Sequence, residues 1–142
     1  MSHVVSTGPG NRECMSIEAI QAIEKSSVVI GYKKYIELIE SMLDGKEVVN
    51  NGMKKEVERC RLALEYAKKG EEVALVSGGD AGIYGMAGIM HELVLEDGDQ
   101  VDIQSYPGIS AAQAAASVLG APIVHDSVYI SLSDLLSDIQ VI

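Results

Sequence analysis

Three glycine-rich loops carry the residues of this chain that are best suited to hold a small molecule. The central loop, at residues 77–82, has the sequence SGGDAG and combines three glycines with one acidic residue. Glycine lets the backbone approach a ligand closely and adopt positive φ angles. The other two loops are GPG at residues 8–10 and PGIS at residues 107–110. Short glycine motifs also occur in tight turns that bind nothing, so the central loop alone leaves both interpretations open.

Each of these loops follows a short segment with the composition of a β-strand. Alternation of such segments with helical periodicity predicts an α/β fold, a mostly parallel sheet with helices on both faces. In such a sheet, ligands bind beyond the carboxyl ends of the strands, so we expect the three loops to share one rim. Three glycine loops on one rim favour a ligand site over three unrelated turns. The predicted strands are residues 3–6, 27–31, 47–49, 73–76, 101–105 and 128–131, and the predicted helices are residues 16–25, 33–43, 53–69, 83–95 and 111–119.

The composition excludes several classes of partner. The net charge is −10, with 21 acidic against 11 basic residues, and there is no Trp or Phe. This argues against nucleic acid as the main partner, which needs a basic footprint or an aromatic stacking platform. No apolar run is long enough to cross a membrane, and the first residues lack signal-peptide features, so we expect a cytoplasmic protein. Cys14 and Cys60 are far apart and predict neither a disulfide framework nor a zinc site.

Five segments of the sequence carry a family resemblance: STGPG at 6–10, GYKKY at 31–35, GMKKEVER at 52–59, SGGDAGIYGMAG at 77–88 and PGISA at 107–111. Taken together they resemble the tetrapyrrole methylases. The GIYGMAG segment at residues 82–88 and the SLSDLL segment at residues 131–136 narrow the resemblance. They are similar to the branch that methylates precorrin-3B, or its cobalt-containing counterpart, at ring carbon 17 during cobalamin synthesis.

The resemblance implies S-adenosylmethionine (SAM) as methyl donor, ring contraction after methylation, and a site in the cleft between two α/β domains. SAM carries a sulfonium, an ammonium and a carboxylate but no phosphate, and the phosphate-binding pattern G-x-x-x-x-G-K-[ST] is absent from the sequence. Tyr32 falls where some relatives have a catalytic aspartate, so no catalytic residue is assigned. The cofactor-binding residues that the resemblance implies are Pro9, Gly78, Gly79, Asp80, Ile83, Ser110 and Ala111.

Basic residues near the cleft are candidates for contact with the carboxylates of a precorrin or cobalt-precorrin substrate. We single out Lys33, Lys54 and Lys55, although a solvated helix face is the favoured interpretation for each of them. His125 and Asp126 lie where family members join their two domains. An ordinary surface or linker histidine is favoured there over a metal or acid–base role, and no metal site is predicted.

The family resemblance also implies a domain organisation. We expect residues 1–122 to form the SAM-binding amino-terminal domain, and residues 123–142 to be a linker and the start of a second domain that is missing. The apolar end of the chain, with Leu135, Leu136 and Ile139, predicts an interface for a homo-oligomer or for a separate second half. Two functions therefore stay open: a SAM-dependent methyltransferase, and a non-catalytic α/β module that associates with itself or with that second half.

Overall fold

The computed structural model describes residues 1–53, 55–98 and 100–131. Five strands form one sheet in the order β3-β2-β4-β1-β5, and their four pairings are all parallel. The α/β prediction with a parallel sheet is thereby confirmed. The strands are β1 (Ser2–Ser6), β2 (Val28–Tyr32), β3 (Glu47–Asn51), β4 (Val73–Ser77) and β5 (Ile103–Tyr106). The helices are α1 (Ile17–Lys25), α2 (Lys33–Leu38), α3 (Glu56–Lys68), α4 (Ala87–Asp97) and α5 (Ala111–Leu119).

The sheet is buried on both faces, as the apolar strands predict. Adjacent residues of β1 point to opposite sides, so Val4 packs into one apolar core and Val5 into the other. The first core is completed by α3 and α4, through buried residues such as Cys60 and Met90. The second is completed by α1 and α2, through buried residues such as Ile23. Helices therefore cover both faces, as parallel sheets require.

The strand order brings three loops to one place on the rim. The chain moves outward from β1 to β2 and β3, then returns so that β4 lies between β2 and β1, with β5 on the other side of β1. The carboxyl ends of β4, β1 and β5 are consequently neighbours, and each leads into one of the glycine loops. A crevice at such a change of direction is the usual ligand site of open α/β sheets.

Two predicted helices begin later than the sequence periodicity indicates. The helix after the central loop starts at Ala87 instead of residue 83, because residues 82–86 form a tight loop closed by a 3.0 Å bond from the Ala87 N–H to the Ala81 carbonyl. Tyr84 in this loop has a φ of +53°, which a right-handed helix does not contain. The α3 helix starts at Glu56, and Met53 is exposed, so its apolar side chain is not part of the buried stripe.

Two further predictions need correction. The helix predicted for residues 33–43 ends at Leu38, and a short 3-10 turn over Glu40–Met42 continues its apolar stripe, so Ile39 and Leu43 are still buried. The strand predicted at residues 128–131 is wrong, because this segment pairs with no strand in the described part of the chain. The apolar terminal segment beyond residue 131 lies outside the described residues. None of the described helices is long and apolar enough to span a bilayer.

Candidate functional site

The first two glycine loops are joined directly through their backbones. The Gly8 N–H donates to the Gly79 carbonyl at 3.1 Å, and the Gly79 N–H donates to the Gly8 carbonyl at 2.9 Å. Both residues have a φ near +60°, a conformation that favours glycine over every other residue. This reciprocal pair fixes the loop after β1 against the loop after β4.

Asp80 ties the third loop to the other two. One carboxylate oxygen of Asp80 accepts a hydrogen bond from the Gly82 N–H at 2.8 Å, and the other accepts from the Gly108 N–H at 2.9 Å. The Ser6 hydroxyl adds a further link by accepting from the Ala81 N–H at 2.8 Å. Asp80 therefore acts within the protein as a bridge between loops.

The loops approach so closely that one position excludes a side chain. A Cβ atom at Gly108 would lie 2.4 Å from the Gly79 carbonyl oxygen and 2.7 Å from the Ser6 Cβ. Both distances are far below van der Waals contact, and one of the two atoms belongs to the backbone. Glycine at position 108 is therefore required by packing.

The three loops enclose a cavity of about 510 Å³. That volume lies within the range of small-molecule sites, which runs from roughly 300 to 1,000 Å³. The structure brings together around this cavity all seven residues that the sequence selected for cofactor binding. They are Pro9, Gly78, Gly79, Asp80, Ile83, Ser110 and Ala111.

Ser110 and Ala111 reach the cavity through the start of α5. The Ser110 hydroxyl accepts from the Gln113 N–H at 3.3 Å, and the Gln113 side-chain oxygen accepts from the Ser110 N–H at 3.0 Å. This reciprocal capping box satisfies two backbone N–H donors at the helix start. The buried Ser110 hydroxyl is thus a structural acceptor, and Ala111 and Ala112 present small side chains to the cavity.

The sequence analysis singled out the loop of Gly8 and the segment of Tyr84, but it did not select these or five other lining residues as cofactor-binding. Tyr35 is the most informative, because a Cβ atom at Gly78 would lie 2.6 Å from its ring. Gly78 therefore leaves room for an aromatic wall, and the glycine at that position was the available signal. The missed residues are Gly8, Tyr35, Leu38, Tyr84, Ala112, Tyr129 and Ile130.

Tyr84 connects the central loop to the segment that follows α5. Its positive φ directs an exposed side chain across the cavity, and its hydroxyl donates to the Tyr129 carbonyl at 2.9 Å. Tyr129 and Ile130 line the same cavity. The Tyr84 hydrogen bond therefore holds this segment at the cavity wall, although the segment forms no strand.

The basic residues chosen as substrate contacts are not gathered at the main cavity. Lys33 is exposed, lies 4.0 Å from a Glu37 carboxylate oxygen, and lines a second cavity. Lys55 is half exposed and forms a 3.3 Å ion pair with Glu58. Lys54 lies outside the described residues.

The histidines separate into structural and surface groups. His3 is buried, with one ring nitrogen 2.7 Å from a Glu72 carboxylate oxygen and the other 3.0 Å from the Tyr106 hydroxyl. His125 is exposed. Within residues 1–53, 55–98 and 100–131, no three or more His, Cys, Asp or Glu side chains are arranged to hold a metal ion.

Comparison with known proteins identifies the family of this chain. Residues 2–140 match the family described as Tetrapyrrole (Corrin/Porphyrin) Methylases. The chain belongs to this family. The match covers all three glycine loops and every residue that the sequence reasoning placed at the cavity.

Individual relatives are longer than this chain. The chain is 48% identical over 142 residues to a probable cobalt-factor III C(17)-methyltransferase of Salmonella typhimurium, of which it covers 59%. It is 45% identical over 140 residues to the protein of that name from Methanothermobacter thermautotrophicus, covering 39% of it. The chain thus spans about three fifths or less of these two relatives.

Solved structures show the same fold. The crystal structure of the methyltransferase CobJ superposes with a TM-score of 0.89 and 32% identity, over 99% of this chain and 59% of that one. A uroporphyrin-III C-methyl transferase from Thermus thermophilus, complexed with S-adenosylhomocysteine (SAH), gives a TM-score of 0.66 and 25% identity, over 88% of this chain and 53% of that one.

Proposed function

We propose that this chain provides the SAM-binding half of a cytoplasmic methyltransferase that acts on a precorrin in cobalamin biosynthesis. The observation that carries the proposal is the cavity formed by the three glycine loops, in a member of the tetrapyrrole methylase family. A neighbour with this fold was solved with SAH, and the curated relatives named above are cobalt-factor III methyltransferases.

The residues around the cavity fit SAM better than a phosphate-bearing cofactor. Its described lining contains no Lys or Arg, and it offers mostly apolar side chains and backbone groups. A nucleotide phosphate would call for a cation beside it, and none of the described lining residues supplies one. When bound, SAM supplies a methyl group made electrophilic by its sulfonium.

The chain's own groups would act by alignment and by exclusion of water. Tyr35, Leu38 and Ile83 provide apolar walls, and a dry pocket favours a reaction in which charge is dispersed. Asp80 holds the loops in one arrangement, which keeps the reacting groups aligned. We propose direct cofactor contacts for the seven residues that were selected from the sequence and line the cavity.

We further propose precorrin-3B or cobalt-precorrin-3 as substrate, methylation at ring carbon 17, and an accompanying ring contraction. The names of the relatives support the carbon that is methylated. No general acid or base is assigned for the contraction. Asp80 is a poor candidate, because both of its carboxylate oxygens already accept backbone hydrogen bonds.

Calorimetric titration of the chain with SAH tests the proposal. We expect saturable binding of SAH, and no binding of ATP at the same concentrations because the cavity lacks a cation. The titration is repeated with the carboxyl-terminal part of the Salmonella relative, to learn whether a second half completes the site. Absence of SAH binding in both titrations would refute the SAM-binding function of this chain.

A second candidate function, association through an apolar surface, is favoured by helix α5. No residue of this helix is buried, and Val118 and Leu119 are strongly exposed, as is Val124 just beyond it. We propose that the part of the relatives that this chain does not match covers this face. Light scattering should show a complex with that part, which a Val118→Ser/Leu119→Ser variant weakens. A stable homodimer of the chain alone would instead favour self-association.

A further inference from the structure

A second cavity lies next to the proposed cofactor cavity, beyond the carboxyl ends of β2 and β3. Its volume is about 430 Å³. Tyr32 lines this second cavity and Tyr35 lines the first, and their rings pack edge to face with centroids 5.5 Å apart. The two cavities are therefore neighbours that share an aromatic wall. The lining residues of the second are Tyr32, Lys33, Lys34, Glu37, Asn50, Asn51, Gly52 and Met53.

The second cavity contains a local excess of positive charge in a strongly acidic chain. Lys33 and Lys34 both line it, against the single carboxylate of Glu37. Glu37 lies 4.0 Å from the Lys33 ammonium, the outer limit of an ion pair, and both side chains are well exposed. Lys34 forms no ion pair with any residue in the described ranges. One lysine is thus loosely paired, and the other is available to a ligand.

A buried arginine organises the opposite wall. Arg59 is 3% exposed, and one of its terminal nitrogens donates to the Asn51 side-chain oxygen at 2.6 Å and to the Gly52 carbonyl at 2.9 Å. Its other terminal nitrogen lies 3.3 Å from a Glu56 carboxylate oxygen. Because the Asn51 side-chain oxygen already accepts a hydrogen bond from Arg59, the Asn51 NH₂ group is the part of this side chain that can donate to a ligand in the cavity. Two ammonium groups and an amide donor together form a set suited to an anion.

We propose that this second cavity binds a carboxylate side chain of the tetrapyrrole substrate through Lys33, Lys34 and the Asn51 amide. Arg59 is a positioning residue, which fixes the Asn51 side chain without touching the ligand. This inference rests on the proposed function, since it requires a substrate whose ring carries several carboxylates around its edge. A macrocycle above the shared Tyr32 and Tyr35 wall would have one carbon at the methyl donor and an acidic side chain in the second cavity.

The test measures two ligands separately on the full chain. Uroporphyrin III, an octacarboxylate tetrapyrrole, is titrated by fluorescence, and SAH is titrated by calorimetry. For the Lys33→Ala/Lys34→Ala variant we expect uroporphyrin affinity to fall at least about tenfold, with a weaker dependence on salt, as the loss of charge-assisted bonds requires. SAH affinity should stay within about twofold, because neither lysine lines the first cavity.

The matched control is Lys68→Ala/Lys69→Ala, which removes the same charge at the far end of α3. Uroporphyrin affinity in this variant should stay close to that of the natural chain. Equal losses in the two double variants would overturn the proposal, because they would show an effect of net charge alone. Binding of SAH without any binding of uroporphyrin would also overturn it, while leaving the methyl-donor site intact. Failure to bind SAH would count against the proposed function itself.

A second variant separates binding from folding. Asn51→Asp keeps an acceptor for Arg59 and should preserve or raise the melting temperature, yet it places a carboxylate where the amide donor was. We expect uroporphyrin affinity to fall several-fold in this variant without a loss of stability. Unchanged affinity would show that the Asn51 amide does not meet the ligand, and would overturn this part of the site.

Discussion

Asp80 has the one charged side chain among the described residues of the proposed cofactor cavity, and its charge is used to hold the protein together. Its two oxygens accept hydrogen bonds from the Gly82 and Gly108 backbones, which belong to different loops. Bonds from a backbone N–H to a carboxylate are stronger than those to a neutral acceptor. A single side chain thus couples the order of one loop to that of another.

Replacing Asp80 by Asn should weaken ligand binding as well as folding. An amide has one acceptor oxygen, so the bond from Gly82 or the bond from Gly108 must be lost. Loss of such a bond costs about 1.5 kcal/mol and lets the two loops separate. Closing them again when SAH binds should cost at most the same amount, or roughly tenfold in affinity measured by calorimetry. Asp126→Asn, at an exposed position, is the control and should leave the affinity unchanged. An Asp80→Asn variant with full affinity would show that the bridge is dispensable.

Glycine at position 108 has a purely steric role, which a pair of alanine substitutions can isolate. Gly108→Ala inserts a methyl group 2.4 Å from the Gly79 carbonyl, and overpacking of this kind costs roughly 1–3 kcal/mol. Gly88→Ala adds the same atom on α4 with nothing within 4 Å, and should stabilise the protein by about 0.5–1 kcal/mol. Urea unfolding measures the change in the free energy of unfolding for both variants. Equal effects at the two positions would contradict the packing argument.

At the scale of elements, α5 depends on its first turn more than the other helices do. The interiors of α1 to α4 are anchored by buried side chains, whereas no residue within α5 is buried. Its start is fixed by the capping box of Ser110 and Gln113 and carries the cavity residues Ala111 and Ala112. The stability of α5 therefore affects the shape of the candidate ligand site.

The two serine caps provide a matched test of that link. Ser110→Ala and Ser16→Ala each remove a hydroxyl that accepts a backbone N–H, a change that costs about 1 kcal/mol. Ser110→Ala should speed amide hydrogen exchange along α5 and lower SAH affinity several-fold. Ser16→Ala acts on α1, away from the cavity, and should lower stability without changing the affinity. Equal losses of SAH affinity in the two variants would mean that global stability, and not the α5 cap, controls binding.

The sequence predicted best those helices and strands whose ends are marked by a capping serine or by a glycine. Ser16 and Ser110 indicated helix starts, and the glycines after β1, β4 and β5 indicated the rim, because these residues encode backbone geometry directly. The start of α4 was mispredicted because periodicity cannot detect the left-handed Tyr84. The false strand near Tyr129 has strand composition but pairs with no strand among the described residues, and pairing is a property of the whole sheet.

The candidate site likewise contains residues that local sequence signals predict and residues that only the tertiary structure places. Pro9, Gly78 and Ser110 were found because they lie in loops that leave strand ends. Tyr35 and Leu38 were missed because a residue on a helix gives no sign of which cavity it faces. Their place depends on how α2 packs against the rim, which the tertiary structure alone determines.

At the scale of the whole molecule, the two apolar cores must exclude water for the rim to keep its shape. Cys60 is fully buried in the core formed by α3 and α4, and its thiol lies beside the Met86 carbonyl at the start of α4. Burial raises the pKa of the Cys60 thiol to about 12, partly offset by the Arg59 charge. The thiol is consequently neutral and shielded while this core is intact.

Alkylation of Cys60 should therefore report global unfolding. At pH 8.5 we expect iodoacetamide to modify Cys14, which is only partly buried, while Cys60 reacts at the rate of unfolding and becomes accessible along the urea transition. Because burial raises the pKa of the Cys60 thiol in the folded protein, the contribution of this group to the free energy of unfolding is complete at neutral pH. That contribution is lost as the pH rises from the ordinary pKa of a thiol towards 12. A Cys14→Ser variant isolates the Cys60 signal for mass spectrometry. Rapid modification of Cys60 without urea would show that this core opens locally, without unfolding of the whole molecule.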